Sequence, residues 1–178
     1  MKHIAIGFVC AMVLSLGASA FAASGSEPIN CFRYAHLTNK LAMDESINLC
    51  SETESDTGPV NCYRYSTLTI GIDRGTALAL CNRSDTDTAP ANCYREASRV
   101  LRMGAAQALE LCYKTISSSD PVNCYRYATE TNRIDEGTAM ELCRSTNSST
   151  GPVNCYRTAS TTYRLTPTAA VTLCRARK

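Results

Sequence analysis

The sequence predicts an all-α fold, a solenoid of five αα-hairpins of about 31 residues, each stapled by one disulfide. Three observations carry this. A six-residue phrase recurs: "PVNCYR" at 59–64, 121–126 and 152–157, with "PINCFR" at 28–33 and "PANCYR" at 90–95, so that Cys31, Cys62, Cys93, Cys124 and Cys155 stand 31 residues apart. A second cysteine follows each first one 19 residues on, at Cys50, Cys81, Cys112, Cys143 and Cys174. Apolar residues before these second cysteines recur at helical spacing, as in Ala77, Leu78, Leu80 and Cys81, without the strict alternation of a strand. A period of this length belongs to stacked helical arrays.

The first 22 residues read as a secretory signal peptide. A short basic start (Lys2, His3) precedes the apolar run "IAIGFVCAMVLSLGA" and two overlapping A-x-A sites, with cleavage expected after Ala22. Cys10 leaves with it, and residues 23–178 form a single repeat domain with repeats at about 28–58, 59–89, 90–120, 121–151 and 152–178. The expected location is exported, periplasmic or secreted. Ten cysteines, an even number, then meet an oxidising compartment, where a disulfide framework is their ordinary use. No metal or other cofactor is expected, because there is no C-x-x-C and His36 is the only histidine after Ala22. No second apolar run is long enough to span a membrane.

Within a repeat, Pro28, Pro59, Pro90, Pro121 and Pro152 are read as the end of a linker. Asn30, Asn61, Asn92, Asn123 and Asn154 are read as N-caps of the first helix. The residue before each Asn pairs with one five positions later as a hydrophobic staple: Ile29 with Tyr34, Val60 with Tyr65, Val122 with Tyr127. Ala91 and Glu96 change together, and Val153 with Thr158 is an imperfect pair. The second helix starts about eight residues before the second cysteine, capped by Asp73, Asp135 and Thr166, with Pro167 in the favoured first position. Gly104 is an acceptable cap. Ala42 is a poor one, and a different start is expected there. Linkers such as "SETESDTG" are read as solvated connectors.

Antiparallel helices bring the start of the first beside the end of the second. The expected pairs are therefore Cys31–Cys50, Cys62–Cys81, Cys93–Cys112, Cys124–Cys143 and Cys155–Cys174, with a bond between neighbouring repeats, Cys50–Cys62, as the rival. Helices drawn this close need small residues one turn away. Ala35, Ser66, Ala97, Ala128 and Ala159 supply them on the first helix, and Ser46, Ala77, Ala108, Ala139 and Ala170 on the second. Phe32, Tyr63, Tyr94, Tyr125 and Tyr156, with Leu49, Leu80, Leu111, Leu142 and Leu173, are expected to fill the seams. In this pattern the chain resembles the exported cysteine-rich Sel1-like proteins, which stack hairpins stapled by one disulfide each. The resemblance implies a solenoid of binding-scaffold type and no site residues.

Catalysis is not expected: no acidic residue holds a fixed place across the repeats, and nucleophile–His pairs cannot be assembled. The repeated polar feature is basic. Arg33, Arg64, Arg95, Arg126 and Arg157 share one helical position, and seven residues later come Lys40, Gly71, Arg102, Arg133 and Arg164. Seven residues is about two turns, which would place both rows on one outward face, a ribbon of nine cations. Such a ribbon suits a linear polyanion, an acidic polysaccharide above all. Nucleic acid fits the charge equally well, but an exported protein meets it less often. Two other readings stand beside this. The arginines serve as struts, held by a linker carboxylate or a carbonyl of the next repeat in a structural envelope protein. Or the stacked helices form a scaffold for a protein partner.

Overall fold

The computed structural model describes residues 25–175. The expected leader, with Cys10 and the cleavage site, lies outside the described residues. Ten α-helices occur among the described residues: α1 (Glu27–Arg33), α2 (Met43–Cys50), α3 (Gly58–Arg64), α4 (Arg74–Cys81), α5 (Ala89–Val100), α6 (Ala105–Cys112), α7 (Asp120–Arg126), α8 (Glu136–Cys143), α9 (Gly151–Thr161) and α10 (Pro167–Cys174). Each odd-numbered helix pairs with the next even-numbered one. Each pair is joined by one disulfide with Cα atoms 5.5 or 5.6 Å apart, all five within a repeat. The rival Cys50–Cys62 bond is not formed. Both small-residue rows beside the disulfides are buried, from Ala35 to Ala159 and from Ser46 to Ala170.

The first helix starts four residues earlier than its Asn predicts. Pro59 is the second residue of α3 and Asn61 the fourth, and the same offset holds in every repeat. Proline fixes φ near the helical value, and the first turn does not use its missing N–H, so the phrase begins a helix and does not precede one. The start is held from further back. Ser55, Ser117 and Ser148 accept from the N–H of Gly58, Asp120 and Gly151 at 2.8, 3.1 and 3.0 Å. The linkers are thus more than solvated connectors. Their carboxylates do face solvent, but Thr53, Ser84, Thr115 and Thr146 are buried, and each hydroxyl donates to the carbonyl two residues on.

The staple pairs are also corrected. Val60, Ala91, Val122 and Val153 lie inside the helix and are fully buried, whereas Ile29, with no repeat before it, is 61% exposed. These side chains therefore fill the seam with the preceding repeat. The tyrosines reach the other way. Tyr34, Tyr65 and Tyr127 donate to Asn61, Asn92 and Asn154 of the following repeat at 3.4, 3.0 and 3.2 Å. In those three repeats the first helix widens into π-helical turns at Tyr34–Thr38, Tyr65–Ile70 and Tyr127–Thr131. Where Glu96 or Thr158 replaces the tyrosine, the helix runs on as α. The widened turn coincides with the residue that needs the longer reach.

Every first helix ends the same way. The N–H of Leu41, Ile72, Met103, Ile134 and Leu165 turns back to the carbonyl of Ala35, Ser66, Ala97, Ala128 and Ala159 at 2.9–3.3 Å. The residue just before it must then be left-handed: Lys40, Arg102, Arg133 and Arg164 at φ 57°, 53°, 54° and 54°, and Gly71 at 80°. The second helix follows after a short turn. Asp73, Asp135 and Thr166 cap it, accepting from Thr76, Thr138 and Ala169 at 3.0, 2.9 and 3.4 Å. α2 starts at the equivalent place despite Ala42, because the Glu45 carboxylate accepts the Ala42 N–H at 3.0 Å.

Candidate functional site

The structure separates the two basic rows. Arg33, Arg64, Arg95, Arg126 and Arg157 lie on the first helices and are exposed. Lys40, Arg102, Arg133 and Arg164 are exposed too, but as the left-handed residues of the hairpin turns. They do not continue the helical face, because the helix stops before its second turn is complete. The nine cations form a row along the first helices and a parallel row at the hairpin tips.

Few of them are neutralised. Arg64 donates to the Tyr34 hydroxyl at 3.2 Å, and Arg95 to Asn92 at 2.9 Å. Among the described residues only Arg126 of the nine forms an ion pair, with Glu130 on its own helical face at 3.7 Å. Among the described residues no linker carboxylate meets any of them. Asp56 and Asp87 accept from Asn30 and Asn61 instead, at 3.2 and 3.3 Å. Two shallow clefts, of ≈ 640 and ≈ 570 Å³, share Arg95 and Arg99 between the first helices and the adjoining turn. Arg99 was not readable from the repeat, because its counterparts are Leu37, Leu68, Glu130 and Thr161.

Left-handed backbone makes the second row informative. A non-glycine residue there costs about 1 kcal/mol or more, yet glycine occurs once in five, at Gly71. A second left-handed series follows the second cysteine, at Glu52, Arg83, Lys114 and Ser145. It shows no charge preference. The fold thus tolerates many side chains in this conformation, and a basic residue at four positions of five belongs to the hairpin tips alone.

Arg74 of α4 and the arginines just after α4 and α8 present the opposite case, paired across repeats. Arg74 makes a two-point ion pair with Glu45, its Nε 2.8 Å from Oε1, which holds the Glu45 carboxyl below its ordinary pKa. Arg83 meets Glu52 at 2.6 Å, and Arg144 meets Glu110 at 3.7 Å. Between them runs a cleft of ≈ 690 Å³ whose lining includes Asn48, Ala79, Asn82, Leu109 and Tyr113. Asn82 donates to both the carbonyl and the side-chain oxygen of Asn48 at 2.8 Å. The row Ile47, Leu78, Leu109, Met140 and Val171, apolar in all five repeats, was the available sequence signal for this face.

His36 stacks on Phe32 at 5.5 Å with its Nδ1 2.9 Å from the Leu41 carbonyl, a packing role. Among the described residues no three His, Cys, Asp or Glu side chains gather as a metal site, and no helix is long and apolar enough to cross a membrane. The fold and its faces define a disulfide-stapled helical repeat protein with one open basic face, its five disulfides fitting an oxidising compartment. Against known families, curated proteins and solved structures, the chain finds no match.

Proposed function

We propose that this chain is an exported, non-catalytic binding protein that holds an extended polyanion, an acidic polysaccharide of the envelope, against its first-helix face and hairpin tips. The supporting observation is the contrast between the faces. Arg74, Arg83 and Arg144 are paired across repeats, whereas among the described residues eight of the nine cations in the two rows meet no carboxylate. Arginine gives such a ligand two-point contacts at a fixed repeat. Kinship with the Sel1-like proteins is part of this proposal only as architecture, hairpins each stapled by one disulfide.

A second reading, a scaffold for a protein partner, is favoured by the apolar-floored cleft on the second-helix face. Salt separates the two, since polyanion retention falls steeply with ionic strength and an apolar interface does not. The double variant Arg126→Gln and Arg133→Gln tests the first reading on an acidic-polysaccharide column. Elution at lower salt with an unchanged melting temperature supports it. If the arginines are struts, the same variant loses about 1–3 kcal/mol of stability and its retention does not change, which overturns the proposal.

A further inference from the structure

The two edges of the array expose the positions that every inner seam buries. Val60, Ala91, Val122 and Val153 are fully buried where a repeat meets its predecessor, but Ile29 is 61% exposed. Leu49, Leu80, Leu111 and Leu142 are fully buried where a repeat meets its successor, but Leu173 is 57% exposed. Cys155 is likewise exposed, whereas Cys31, Cys62, Cys93 and Cys124 are fully buried. A polar residue at these positions would finish a stack against water. Both edges keep the apolar residue of a working seam.

The net charges of the two terminal repeats are opposite. The last repeat, 152–178, holds Arg157, Arg164, Arg175, Arg177 and Lys178 and no acidic residue, a net charge of +5. The first, 28–58, sets Arg33 and Lys40 against Asp44, Glu45, Glu52, Glu54 and Asp56, a net charge of −3, with Glu45 and Glu52 already paired to Arg74 and Arg83 of the second repeat. We infer that the array stacks head to tail on a second copy of itself. The Leu173 edge of one copy meets the Ile29 edge of the next and continues the internal seam. The contact joins two different surfaces, so each added copy leaves one free edge of each kind and growth is open-ended.

Two edge variants test this, both at exposed positions where substitution leaves the fold intact. Ile29→Lys disables the first edge and Leu173→Lys the last. Sedimentation velocity is run on the disulfide-intact chain from micromolar to near-millimolar concentration. The wild type should grow past dimer as concentration rises, and less so at high salt. Each variant alone should stay monomeric. Their equimolar mixture should form dimers and nothing larger, because only one live pair of edges remains. A wild type that stays monomeric throughout, a single variant that self-associates, or a mixture without dimer would each overturn the inference.

Discussion

Removing one disulfide from the middle of the array and one from its end gives a matched pair of perturbations. Each bond spans the same 19 residues, so the chain entropy released in the unfolded state is the same. In the chain-entropy account a loop of this length is worth about 3 kcal/mol at 25 °C. Packing differs between the two. Cys93 and Cys112 are both fully buried, and deleting two such sulfurs costs about 2 kcal/mol more. Cys155 is exposed, and only Cys174 is buried at the edge. The double variant Cys93→Ala/Cys112→Ala should therefore lose about 5 kcal/mol, and Cys155→Ala/Cys174→Ala about 3–4 kcal/mol. Non-reducing urea titrations followed by far-ultraviolet circular dichroism measure both, and peptide mapping confirms that the other four pairs stay intact. An end variant as costly as the central one would refute the buried-seam account. A central cost below about 1 kcal/mol would refute the loop entropy.

Other consequences are simpler to test. Leu80→Ala at an inner seam should cost about 2–5 kcal/mol in chemical denaturation, and Leu173→Ala less than about 1 kcal/mol. The Asp73 and Asp135 carboxyls are held below their ordinary pKa, first by the N–H groups of Thr76 and Thr138 that they cap. Their contribution is present above the unfolded carboxylate value near pH ~4 and disappears as pH falls through the lower folded value. Melting temperature measured against pH should accordingly fall less steeply below that point in Asp73→Asn/Asp135→Asn than in the wild type. Arg133→Gly should raise the melting temperature, relieving a left-handed arginine at φ 54°, while weakening retention on an acidic-polysaccharide column. A variant both stabilised and fully retained would remove the hairpin tips from the binding face.

The sequence made the architecture legible because cysteine spacing is rigid information. A 31-residue period, a 19-residue offset and small residues one turn away favoured the pairing within a repeat, and the structure removes the Cys50–Cys62 rival. The sequence misjudged what the invariant residues do. Asn61 looks like a cap by type, but a proline two residues earlier starts the helix sooner. Its carboxamide then serves the seam, accepting from Tyr34 and donating to Asp87. Lys40 was placed by counting turns, but the count fails where the helix ends on a back-turned N–H. Local propensity could not show either, because both depend on the neighbouring repeat or on where a hydrogen bond closes. The second-helix cleft was missed for a related reason. It is a property of four stacked repeats, and its signal is a row read across the repeats and not along the chain.

The tyrosine ladder has one missing rung, and the seams of the array are therefore not alike. Tyr34, Tyr65 and Tyr127 tie three of the four seams on the first-helix side. At the fourth, between α5 and α7, Glu96 stands in the tyrosine's place, and no side-chain bond reaches Asn123 among the described residues. The second helices stay tied at that seam, through the Ser145 N–H to the Leu111 carbonyl at 3.0 Å and Arg144 to Glu110 at 3.7 Å. Such a joint is hydrogen-bonded along one edge and held along the other by packing alone, with Val122 fully buried there. Repeats 1–3 on one side of that seam, and repeats 4–5 on the other, are each tied internally by the tyrosine bonds it lacks.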